Sequence, residues 1–352
     1  MKNFYLKLLV VLVSEIIPLR GFKERSYNSI RDISYFKKFV NIFFSIRRIK
    51  KFSGKIKGFQ MAYDLLEESY SKNILIRLIV AHIYGFHILQ VSPRVNTLWK
   101  KRNELISKIE SEELYPDKDY NYRLLNLKKI GIPVILFDNV KGIHNTFLFE
   151  QYRYNQNDII IEASKGDIIF DAGGGLGNSA LYFSTKIKNS GRIYTFEFIN
   201  SNIEILRKNL SLNPNLEENI ELVKTPLWSK SDQELFILED GASSMITLHS
   251  LNESSKSIKT ISIDDFVKRN KISKVDFIKM DIEGAELHAL MGAQETLVKF
   301  KPKLAISVYH DLKHYYKIPQ YINSLNLNYK MYLDHFSVRW SESVLFAKVD
   351  KE

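Results

Sequence analysis

At 352 residues, with 45% hydrophobic and 26% charged content, the chain has the make-up of an ordinary globular protein, long enough for one large domain and an appendage. It contains no cysteine, which excludes disulfides, zinc–thiolate and iron–sulfur sites and leaves His, Asp and Glu as the available metal ligands. The formal net charge of +11 belongs to one stretch: residues 1–57 carry 14 Lys and Arg against Glu15, Glu24 and Asp32, and the remaining 295 residues balance.

The opening MKNFYLKLLVVLVSEIIPLR has a short apolar core, Leu8–Val13, broken by Glu15 and followed by Pro18 where a signal peptide would place small residues. It also falls short of the roughly 20 apolar residues that span a bilayer. Phe4, Leu8, Leu12 and Ile16 share a helical face with basic residues close by, so this segment is expected either to lie on an anionic membrane or to pack on the rest of the chain. The expected location is cytoplasmic, peripheral at a membrane surface where that contact forms. A basic segment also suits nucleic acid, but no aromatic-rich basic motif accompanies it, and that partner ranks last.

From Ser34 to about Glu113 apolar residues recur at helical spacing, and His82 and His87 read as packed side chains within that pattern. The polar SEELYPDKDYN, with Pro116, suggests a boundary within 111–121. The expected organisation is a basic, mostly helical region over 1–120 and a second domain over 121–352. In the second domain short apolar runs alternate with helical patterns, the rhythm of βαβ units. Strands are expected at Asp167–Asp171, Arg192–Phe198, Ile220–Thr225, Val275–Ile282 and Lys303–His310, with helices between them. Ser201 and Glu204 have capping-box spacing at the second helix. QELFILED and SSMITLHS read as an inserted hairpin turning at Gly241. The last two runs, Tyr329–Phe336 and Ser343–Val349, stand too close for a crossover helix and must pair antiparallel. The fold class is therefore α/β: a seven-stranded Rossmann-like methyltransferase sheet with a terminal antiparallel hairpin, preceded by a mostly helical region.

DIIFDAGGGLGNSALYFS places Asp171 ahead of Gly173, Gly175 and Gly177 at the strand-to-helix turn. Glycines there let the backbone turn sharply and approach a ligand. The dinucleotide fingerprint requires glycine or alanine where Asn178 stands, which disfavours an NAD-dependent oxidoreductase, and the acid before the glycines suits the cationic S-adenosylmethionine. Glu197, at the next strand's end, has the position of a ribose-binding acid. In FIKMDIEGAELHAL, alternation sets Lys279, Asp281 and Glu283 on one side at the carboxyl end of a strand, either as a reacting cluster or as a helix cap with its ion partner.

DAGGGLGNSALYFS, YTFEF, TISIDDF, VDFIKMDIEGAELHALMGA and KLAISVYHDLKHYYKIPQYINSLNLNYKMYLDHFS together resemble the FkbM-type methyltransferases over about Phe147–Val349. The resemblance implies S-adenosylmethionine as cofactor and a hydroxyl of a sugar, glycan, glycolipid or related natural product as acceptor. It makes Asp171, Gly173, Gly175, Gly177, Asn178 and Glu197 the cofactor-binding set, and Lys279, Asp281 and Glu283 the active-site block. His310 is the first choice of general base, Asp281 the second, and His335 a substrate contact. A metal held by His310, His314 and Asp281 is set aside, because strand-end and loop placement would not bring the two histidines onto one helical face.

Overall fold

The computed structural model describes residues 4, 5, 8 and 52 and, from 54 to 350, all but 87–90, 93–94, 96–103, 116–121, 189, 239–244 and 248–256. Most of the basic segment, His87, Pro116 and Gly241 lie outside the described residues. Among the described residues no helix is long and apolar enough to cross a membrane.

Among the described residues, the first helices with both ends in view are α1 (Ile56–Leu65) and α2 (Ser69–Tyr84). After Asn73 α2 is apolar on nearly every face, the pattern of a helix covered on all sides. Its Ile74, Leu75, Ile76, Leu78 and Val80 are buried in the same core as Met331 and Leu333 of the carboxyl-terminal sheet, and Ser71 Oγ accepts the Leu333 N–H at 2.9 Å. Phe59 of α1 packs edge-on against Tyr316. These helices thus cover one face of the sheet. A small antiparallel sheet follows: β1 (Glu110–Leu114), β2 (Arg123–Asn126) and β3 (Ile135–Asp138). Glu110–Glu113 read as helical in sequence; pairing of Glu110 with Leu125 makes them a polar edge strand instead. A short hairpin, β4 (Tyr154–Gln156) and β5 (Ile159–Ile161), leads into the main sheet.

That sheet is built from β6 (Ile168–Ala172), α3 (Asn178–Ile187), β7 (Arg192–Phe196), α4 (Asn200–Ser211) and β8 (Ile220–Val223). A small antiparallel excursion, β9 (Glu234–Leu238), β10 (Met245–Thr247) and β11 (Ser257–Lys259), includes the expected hairpin. Then come α5 (Ile263–Arg269), β12 (Phe277–Met280), α6 (Glu286–Met291), α7 (Gln294–Phe300), β13 (Lys303–Ser307), α8 (His314–Ser324), β14 (Lys330–His335) and β15 (Ser343–Lys348). The strand order is β14-β15-β13-β12-β6-β7-β8, with β15 antiparallel to both neighbours and the other pairings parallel. The seven-stranded sheet with its terminal hairpin is as the sequence implies. The chain runs outward from β6 to β8, then returns to β12 on the other side of β6. A crevice opens at such a switch point, beyond the carboxyl ends of the two strands.

The Ser201–Glu204 capping box does not form. The residue capping α4 is Ile199, which offers no side-chain acceptor, and the Glu197 carboxylate takes the Phe198 and Ile199 N–H groups at 2.8 and 2.9 Å.

Candidate active site

The turn after β6 is shaped by its glycines. Gly173 has φ +82°, and a Cβ on it would run into the Asp281 carbonyl, so the turn and the end of β12 touch backbone to backbone. Gly175 has φ +50° and open space where its Cβ would be. It faces a cavity of about 300 Å³ that fills the crevice.

Asp171 does not face that cavity. It is fully buried, and its carboxylate takes Ser179 Oγ at 2.9 and 3.0 Å, Thr195 Oγ1 at 3.0 Å and the Lys279 ammonium at 2.9 Å. The expectation that it meets a cationic ligand is corrected on this point: its charge is spent inside the fold. Lys279 is its register partner across β6 and β12 and also donates to the carbonyls of Ala172 (3.1 Å) and Gly173 (2.6 Å). Buried charges persist where paired and hydrogen-bonded, and this pair is both. Lys279 therefore anchors the glycine turn, and its Nζ lies 5.1 Å from the centre of the Tyr152 ring.

Gly177 caps α3 with φ +88°, and Asn178 begins the helix, its amide donating to Asp138 Oδ2 at 3.1 Å. Glu197 is 6% exposed and lines the cavity. Burial raises its pKa, against the bonds donated by Ile199, Phe198, Asn202 and Gly175. Oε1 is taken by the start of α4, while Oε2 holds the Gly175 N–H at 2.9 Å on the cavity side. Asp138, at the end of β3, forms the opposite wall; burial pushes its carboxyl up to about 7 against bonds from Asn139 and Asn178. Sequence reasoning missed Asp138, although an acid closing a short apolar run is the signal that singled out Glu197.

The other end of the cavity is built on the residues after β12. Asp281 lines it and accepts the Tyr152 hydroxyl on Oδ2 (3.0 Å) and the Tyr309 hydroxyl on Oδ1 (3.1 Å). Burial and the Asp281 charge hold both phenols in their protonated, donating form. Glu283, in a turn with φ +51°, also lines the cavity. His310 stands behind these acids, with a side chain only 6% exposed. Its Nε2 lies 3.4 Å from Asp281 Oδ1 and 3.3 Å from Glu283 Oε2, and its Nδ1 is 2.7 Å from Glu286 Oε1. Burial opposes the imidazolium, but the Glu286 bond and the surrounding carboxylates prevail and raise the pKa to about 9. His310 thus carries a proton at neutral pH and does not line the cavity, which corrects its ranking as first choice of base; Asp281 is the carboxylate in front.

Glu286 lies within the same motif and carries no separate signal in the sequence. It is fully buried, takes the Ile282 and Gly284 N–H groups at 3.0 and 3.4 Å and His314 Nδ1 at 3.2 Å, and its pKa is lowered by His310 and His314 against the cost of burial. Asp281, Glu286 and His310 bring potential metal-ligand atoms within 4.8 Å of one another, but the shortest of these contacts is the Glu286–His310 hydrogen bond. His335 is not a substrate contact. It is fully buried beside Phe86, bonded through Nδ1 to Ser343 Oγ at 2.8 Å, and burial lowers its pKa to about 3, so it stays neutral. Its register partner on β15 is that same Ser343, which keeps it inside the sheet.

These residues fit S-adenosylmethionine: backbone at Gly175 open to close approach, Glu197 Oε2 for ribose hydroxyls, and the buried Asp138 carboxyl, raised to about 7, opposite them. Residues 169–331 match the Methyltransferase FkbM domain. The hexuronic acid methyltransferase AglP of Haloferax volcanii is 29% identical over 143 residues, 40% of this chain and 55% of that protein. The crystal structure of the methyltransferase FkbM from Methylobacillus flagellatus aligns with a TM-score of 0.53 at 20% identity, covering 85% of this chain and 60% of that one. The chain thus spans little more than half the length of either relative. The motif blocks, the sheet order with its glycine turn at the switch point, and the domain match together identify residues 169–331 as an FkbM-type methyltransferase domain.

Proposed function

We propose that the chain transfers the methyl group of S-adenosylmethionine to a hydroxyl of a sugar, glycan or glycolipid. One observation carries this reading: a single cavity has the glycine turn and Glu197 on one side and Asp281 and Glu283 on the other. The bound cofactor supplies an electrophilic methyl group on a sulfonium. The chain's part is to hold the acceptor oxygen in line with that group in a water-poor cleft, a contribution of roughly 7–11 kcal/mol in ideal cases.

Asp281 is the group that receives the hydroxyl proton. Tyr152 and Tyr309 fix its orientation, and His310, kept cationic by Glu286, stabilises its charge. Lys279 takes no part in proton transfer, since its ammonium is committed to Asp171 and the turn. The sugar class is supported by the name of the AglP relative, a hexuronic acid methyltransferase, and by an exposed Trp340 beside the cavity wall.

Calorimetry with S-adenosylhomocysteine tests the cofactor half: saturable binding is expected, and its loss in Gly175→Arg. Transfer of labelled methyl to a panel of glycosides tests the rest, with Asp281→Asn expected to abolish transfer while leaving cofactor binding in place. Absence of S-adenosylhomocysteine binding in the unmodified chain would sink the assignment.

A further inference from the structure

The acids facing the cavity raise a question about charge. Asp138, Glu197, Asp281, Glu283 and Glu342 all line it, whereas Lys279 is the one Lys or Arg among the described lining residues, and its charge is already matched by Asp171. An acceptor bearing a negative group cannot bring that group inside without meeting like charge in a low-dielectric space. It can keep the group at the rim, if the rim offers a cation.

The segment joining β14 to β15 offers one. It is closed at its base by the Phe336 N–H bonded to the Glu342 carbonyl at 2.9 Å, and Glu342 is itself part of the cavity wall. At its tip Val338 and Trp340 are 40% and 53% exposed. The Trp340 ring meets the Tyr309 ring edge-on, with centroids 6.0 Å apart, and the Tyr309 hydroxyl is bonded to Asp281. Arg339 precedes Trp340, is exposed, and its side chain has no ion pair among the described residues. A line of contact therefore runs outward from the proposed proton acceptor through Tyr309 to an exposed indole, with an exposed Arg339 next to it in sequence.

From this arrangement we propose that the 336–342 segment is the acceptor-reading element, and that it takes a pyranose carrying an anionic group: the ring's apolar face on Trp340, the anion on Arg339. An exposed indole offers a large rigid apolar surface with little conformational entropy to lose, which is what recognition of a ring with one apolar face requires. A guanidinium presents paired donors that match both carboxylate and phosphate geometry. The same acids that exclude the anion from the cavity orient the sugar, because only a hydroxyl can point inward. This inference rests on the methyl-transfer reading and adds the class of acceptor.

The full chain, saturated with S-adenosylhomocysteine, is titrated with three probes: methyl glucoside, methyl glucuronide and glucose 1-phosphate. At least one anionic probe is expected to bind about tenfold more tightly than methyl glucoside. Preference for the glucuronide assigns a ring carboxylate, and preference for the phosphate assigns a phosphoryl group. Arg339→Gln should erase the difference, Trp340→Ala should weaken all three probes about tenfold, and Trp340→Phe should restore most of that loss. S-adenosylhomocysteine affinity should be unchanged in all three variants, which separates recognition from folding. Equal binding of the three probes, no binding of any, or unaltered binding in both Arg339→Gln and Trp340→Ala overturns the proposal while leaving methyl transfer standing. Failure to bind S-adenosylhomocysteine removes the reading beneath it.

Discussion

The two ends of the cavity are built on opposite terms. At the turn after β6 the charged groups are held by the chain itself: Asp171 by Lys279, Ser179 and Thr195, and Glu197 through Oε1 by the start of α4, with Oε2 left on the cavity side. At the far end the acids outnumber the cation they surround, and the adjoining segment leaves Arg339 and Trp340 in solvent. The contrast teaches where rigidity and where variability reside. A cofactor shared by a whole family can be met by a preformed surface, which avoids ordering costs at binding. A substrate contact is better met by exposed side chains whose exchange leaves the core intact.

Substitutions should reveal that contrast as a gradient. The largest effect is expected for Lys279→Met, which leaves Asp171 as a buried charge without its counter-ion. Loss of about 3–5 kcal/mol in urea unfolding is anticipated, with loss of S-adenosylhomocysteine binding as the turn relaxes. Next comes Glu286→Gln at the far end, expected to cost about 1.5–3 kcal/mol through weakened bonds to charged partners. Its distinctive readout is His310. In the unmodified chain the folded-state pKa of about 9 lies above the ordinary 6.5, so this stabilising contribution is complete below pH 6.5 and is lost as pH rises through about 9. In the variant the titration, followed by imidazole NMR, should fall back toward 6.5. An unchanged value would mean that Asp281 and Glu283 suffice to hold the proton.

Asp138→Asn probes the cofactor side by the reverse route. The carboxyl's folded pKa of about 7 lies above 3.8, so the unmodified chain loses stability as pH rises from about 4 through 7. The variant should lack that decline and melt at a higher temperature than the unmodified chain at pH 8, but not at pH 4. The smallest effect is expected for Arg339→Ala, within about 0.5 kcal/mol of unmodified stability, as for an exposed residue whose side chain has no ion pair among the described residues. A larger loss would show that the rim is structural and would blur the distinction between the two ends.

Much of the cofactor end was legible in the sequence, because its signals are local. Three glycines at alternate positions after an apolar run, and an acid closing the next strand, are positional facts that survive without knowledge of tertiary contacts. What could not be read was which acids face inward. Asp171 and Asp281 both follow short apolar runs, yet one is sealed under the turn and the other opens to the cavity, because Lys279 alternates toward β6 and claims the first. Glu286 and His310 are 24 residues apart and meet only when β13 lies beside β12. His310 and His335 both close apolar runs in the sequence, but only the register of β14 against β15 shows that His335 faces Ser343 in the interior. Asp138 lies outside the main sheet, on a strand whose pairing partners are short and irregular in sequence. The capping box failed because the helix starts before Ser201: Ser201 lies inside α4, and the Ile203 N–H that it would have capped already bonds the Ile199 carbonyl at 2.9 Å.

The close approach of Gly173 to the Asp281 carbonyl has a mechanical corollary. The glycine turn and the backbone that carries Asp281 are one interlocked piece, so on the proposed reading neither the cofactor side nor the acceptor side of the cavity can shift without carrying the other along. A lineage exploring new acceptors would find that piece unforgiving, and would be steered toward the exposed hairpin tip at the rim, where substitutions leave the interlocked backbone undisturbed.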